Sequence, residues 1–142
     1  MKNRIYILLI ALVFVSCTRN DSVIKKYDYP NSKLWKHGVY SKYDAQKLES
    51  IFEGLEVDVI YSPEQHNIYV GRVLADTSNR LFLDVWFAML KNPSKMCYWI
   101  DFKNLSEKNA QQALDVLNAL DEKYKIKENA FVENKSVDAL KI

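Results

Sequence analysis

The sequence predicts an α/β domain built on a mostly parallel sheet. Short apolar, strand-like runs alternate with segments of helical spacing from Leu34 onward, and that order is the one βαβ units require. The chain is 49% hydrophobic with only 3 Gly, a composition suited to a packed core and not to a disordered chain. Its length allows one domain with a sizeable core and leaves little for a second.

The order begins with a segment that is not part of the domain. Lys2 and Arg4 precede an apolar run from Ile5 to Val15, the charged and apolar regions of a secretory signal. The run is too short to span a hydrocarbon core, which needs about 20 apolar residues. Val15-Ser16-Cys17 resembles the end of a bacterial lipobox. Residues 1–16 are therefore expected to be removed, with Cys17 lipidated and residues 17–33 serving as a polar spacer. The expected location is the bacterial cell envelope, with the chain lipid-anchored to a membrane (periplasm or outer membrane). The net charge of +2 includes Lys2 and Arg4, and without them acidic and basic residues balance. No nucleic-acid partner is expected, because phosphate-backbone binding needs a basic excess.

Within residues 34–142, Trp35 to Tyr40 reads as a strand. Ser41-Lys42-Tyr43-Asp44 reads as a capping box, and Ala45, Leu48, Ile51 and Phe52 follow at helical spacing until Gly54 ends the segment. Leu55 to Tyr61 alternates like a strand, Pro63 to Asn67 turns, and Ile68 to Val73 is a second strand, returning or continuing the sheet. Leu81 to Lys91 has one apolar helical face and is stopped by Asn92-Pro93. Met96 to Phe102 is strand-like. Ser106 is expected to cap a long helix whose apolar face runs from Ala110 to Tyr124. Ala130 to Val132 reads as a short strand, and Val137 to Ile142 begins another helical pattern. Cys97 lies in an apolar run and reads as a core residue.

Two polar clusters stand out from this background. Glu56 and Asp58 lie two apart on one strand, so their carboxylates share a face about 7 Å apart, a pair of hard oxygen ligands for Ca²⁺ or Mg²⁺. By spacing alone a solvent-facing side is the favoured reading, because alternating charge on a strand usually marks one. Trp99, Asp101 and Lys103 share a face of the later strand, where a charged pair closes an otherwise apolar run. The carboxyl ends of parallel strands are where α/β sites are built.

These residues carry a resemblance. His37-Gly38-Val39, Gly54-Leu55-Glu56-Val57-Asp58-Val59, Trp99-Ile100-Asp101-Phe102-Lys103-Asn104-Leu105 and Phe131-Val132-Glu133-Asn134 resemble, in order and rough spacing, the motifs of glycerophosphodiester phosphodiesterases. That family belongs to the phospholipase-C-like superfamily of TIM barrels. The resemblance implies that His37 is the first catalytic histidine, that Glu56, Asp58 and Asp101 bind a divalent cation, and that Lys103 meets the phosphate. It also implies a partial β/α barrel, roughly half, because a full one takes about 250 residues.

The chain departs from the family pattern at defined places. Gly38 stands where an arginine follows the first histidine, and no histidine falls near Val70-Gly71-Arg72, where the second belongs. Arg72 can hold a phosphate there but cannot take a proton. His66 lies in the preceding turn and reads as a solvated loop residue. The expectation is a degenerate, pseudoenzyme-like lipoprotein, inactive alone. The alternatives are half of an active metal-dependent phosphodiesterase completed by a second copy or another chain, and a non-catalytic lipoprotein that binds phosphate and cation or acts by interaction.

Overall fold

The computed structural model describes residues 34–73 and 81–141. The expected signal, the lipidated Cys17 and the linker lie outside the described residues, as does Ile142. Among the described residues no helix is long and apolar enough to cross a membrane.

The fold is α/β, as the alternating segments predict. Strands β1 (Trp35–Lys36), β2 (Gly54–Ser62), β4 (Cys97–Phe102) and β5 (Ala130–Glu133) run parallel, in the order β1-β2-β4-β5. Strand β3 (Asn67–Val70) returns antiparallel along the second half of β2, on the edge whose first half β1 occupies. The hairpin turn passes through His66, which sits at a positive φ of 45°. Helices α1 (Lys42–Leu48), α2 (Leu83–Phe87) and α3 (Ala110–Tyr124) fill the connections.

Period-two alternation sorts β2 into two faces. Leu55, Val57, Val59 and Tyr61 join Tyr98, Ile100 and Phe102 of β4 in one apolar cluster with Ala45, Trp86, Phe87, Ala113 and Leu120 from the three helices. The indole of Trp86 is fully buried and donates from Nε1 to the Val39 carbonyl at 3.1 Å, tying α2 to the segment after β1. Phe87 meets the ring of Tyr98 edge-on at 4.9 Å. The helices therefore cover one face of the sheet, and Glu56 and Asp58 project from the other.

Several boundaries differ from the sequence reading. The first strand is two residues long because the chain leaves the sheet at His37 and turns through Gly38 at φ 72°. Ser41 caps α1 as expected, accepting from the Asp44 N–H at 3.3 Å. The helix stops at Leu48, however, so Ile51 is exposed and does not extend its apolar face. Gly54 opens β2 instead of ending a helix. A Cβ there would stand 2.4 Å from the Trp35 ring, so only glycine lets that indole lie on the strand. Ser106 does not cap α3; it starts a turn whose carbonyl accepts from Ala110 N–H, and Asn109 flanks the helix. The final helical pattern is a single 3₁₀ turn, Asp138–Leu140.

Candidate functional site

Parallel pairing of β2 with β4 sets Glu56 beside Trp99 and Asp58 beside Asp101, and pairing of β4 with β5 sets Asp101 beside Glu133. Asp58, Asp101 and Glu133 thus form a row across three strands on the face without helices. Like charges directly opposite on adjacent strands are unfavourable unless neutralised. Lys103 supplies the neutralisation. Its backbone N–H donates to the Val59 carbonyl at 2.9 Å, and its ammonium group bridges Asp58 Oδ1 and Asp101 Oδ2.

The segment after β1 supplies the next contacts. Val39 N–H donates to the Glu56 carbonyl at 2.9 Å, which fixes the segment against β2. The Gly38 N–H then reaches Glu56 Oε2 at 2.5 Å, and the Tyr40 hydroxyl donates to Asp58 Oδ2. His37, largely exposed, places Nε2 3.5 Å from Glu56 Oε2. From the end of β3, Arg72 brings Nε to 3.3 Å from Asp58 Oδ2. Glu56 and Asp58 are each only 2% exposed, so the solvent-facing reading of their alternation does not hold. Trp99 Nε1 donates to Glu133 Oε2 at 2.6 Å beside this row.

Burial raises Glu56 above its ordinary 4.5, and the Gly38 N–H offsets that only in part. Burial also works against the Asp58 carboxylate. The hydrogen bonds from Lys103 and Tyr40, with the charges of Lys103 and Arg72, outweigh it and hold Asp58 below its usual value. Desolvation would lower Lys103, but Asp101 and Asp58 keep it raised. The Tyr40 hydroxyl is pushed up to about 12 by burial and by Asp58.

The three carboxylates expected to meet do meet: one oxygen each from Glu56, Asp58 and Asp101 lie within 4.8 Å of one another. Such an oxygen set has the hardness and spacing that Ca²⁺ or Mg²⁺ takes. A cleft of about 610 Å³ adjoins it, lined in part by Arg72, Asp101, Lys103, Glu133 and Lys135. His66 is elsewhere, with Nδ1 3.4 Å from the Tyr61 hydroxyl and facing a separate cleft beside Asp84 and Lys123. Cys97 is buried in the sheet, where desolvation raises its thiol.

The sequence reading missed Tyr40 and Arg72 as partners of Asp58. Neither has a local signal: Tyr40 lay inside an expected strand, and Arg72 reaches Asp58 only because the hairpin folds back along β2. No protein-family model matches the chain, and no curated protein or solved structure matches it.

Proposed function

We propose that the chain is a lipid-anchored, degenerate relative of glycerophosphodiester phosphodiesterases that retains a cation site without a complete acid/base pair. The observation that carries this reading is the convergence of Glu56, Asp58 and Asp101 within 4.8 Å, with His37 beside Glu56. Those three residues would hold Ca²⁺ or Mg²⁺, which supplies charge neutralisation at a phosphodiester. His37 is the one imidazole placed to move a proton. Near where the resemblance expects the second histidine stands Arg72, a guanidinium that pairs with Asp58 and is no general base.

Loss of one general acid or base costs typically 10²–10⁴-fold. The full chain, supplied with divalent cation, should therefore release glycerol phosphate from glycerophosphodiesters no faster than a Glu56→Ala variant. A clear rate that disappears in both Glu56→Ala and His37→Ala would sink the degenerate reading. On the reading that the domain is about half a β/α barrel, a second copy or another chain is the proposed complement. Activity that appears only on adding such a chain would favour the split-enzyme reading. A second reading, an internal ion-pair network with no ligand, is favoured by one fact: among the described residues every buried side-chain polar atom already has a partner.

A further inference from the structure

Lys103 is the residue the resemblance assigns to phosphate, yet its ammonium group lies between two of the three carboxylates that would hold a cation. We propose that Lys103 is a built-in cation of this cluster, and that a divalent ion enters only by displacing it. The lysine then sets the cation affinity of the site, an inference that rests on the cation-binding reading above.

Register makes the arrangement unavoidable. Asp58 and Asp101 are direct cross-strand neighbours, and Lys103 follows Asp101 by two residues on the same face. Its backbone is pinned to Val59, so the side chain leaves the strand end directly over both carboxylates. Both oxygens of Asp58 are occupied from within the chain, Oδ1 by Lys103 and Oδ2 by Tyr40 and Arg72. The ammonium group stands between Asp58 Oδ1 and Asp101 Oδ2, so an ion shared by these two carboxylates would take the place that Lys103 holds. The Lys103 side chain is 24% exposed against 68% for Arg72 and meets two of the three carboxylates, so it and not Arg72 stands where a shared ion would sit. Displacement is feasible because the ammonium group has somewhere to go: the adjoining cleft presents Glu133, the cross-strand neighbour of Asp101. With Lys103 displaced, three carboxylates face one guanidinium, a deficit that a divalent ion makes up and a monovalent one does not.

The test is calorimetric titration of Ca²⁺ and Mg²⁺ into the full chain and into Lys103→Met, Lys103→Gln and Lys103→Arg. Removing two charge-assisted hydrogen bonds that compete with the ion should tighten divalent binding about tenfold or more in Met and Gln. Arginine, which keeps the charge, should bind as the native chain does. Thermal melting should show the Met and Gln variants less stable without the ion and restored by it. Equal affinity in native, Met and Gln chains would overturn the inference while leaving the cation reading intact. Binding by the variants but not by the native chain would support the inference and remove the cation from the native function. No binding by any chain would end both, and so would variants that stay unfolded with the ion present.

Discussion

Glu56 and Asp58 sit two residues apart on one strand and are equally buried, yet their carboxyls shift in opposite directions. The difference lies in their partners. Asp58 has an ammonium, a guanidinium and a phenol; Glu56 has a backbone N–H and an exposed imidazole. Burial therefore dominates at Glu56 and is outweighed at Asp58. Because Asp58 is lowered in the fold, its stabilisation is present above its ordinary value of 3.8 and is lost as pH falls through the folded value. Glu56 has the reverse sign: as pH rises above 4.5 toward its folded value, the native state loses stability relative to the unfolded chain. Glu56→Gln keeps an acceptor for Gly38 and removes the charge. Its stability relative to the native protein should therefore rise as pH increases above 4.5 in denaturant titrations. A difference that stays constant with pH would mean that burial does not govern this group.

The helices show which local rules can be read from sequence and which are overridden. Ser41 is placed correctly as a cap because its side chain needs only the Asp44 N–H three residues on. Ser106 has the same chemistry, but its N–H and hydroxyl are taken by the Asn109 side chain, and α3 begins three residues later than a simple cap would put it. At the other end, Lys125 closes α3 in the left-handed region at φ 56°, its N–H donating to the Asp121 carbonyl. A side chain there strains the backbone, and glycine does not. Lys125→Gly should therefore raise stability by about 0.5–1 kcal/mol in urea unfolding, since the residue is exposed and its backbone bond is kept. A loss of stability would show that the left-handed turn does not limit α3.

For the molecule as a whole, the proposed anchor and the domain are separate matters. The domain buries one face of its sheet under helices and turns the other, with its carboxylate row, away from them. The anchor is proposed on sequence alone: an apolar run that ends at Cys17, then a polar spacer. Cys17→Ser should move the protein from the membrane to the soluble fraction when cells are broken without detergent. Membrane association unchanged by that substitution would count against lipidation.

The sequence by itself determined the order of elements, the two faces of β2 and the pairing of Glu56 with Asp58, because these depend on periods of 2 and 3.6 that repeat within one segment. It also pointed to Asp101 and Lys103 as a charged end to an apolar strand. Only the tertiary structure decided that Glu56 and Asp58 are buried, that Lys103 bridges Asp58 and Asp101, and that Tyr40 and Arg72 both turn to Asp58. The reason is physical: cross-strand register, hairpin direction and the path of the chain after β1 bring together residues far apart in sequence, and no local spacing encodes which charge will meet which.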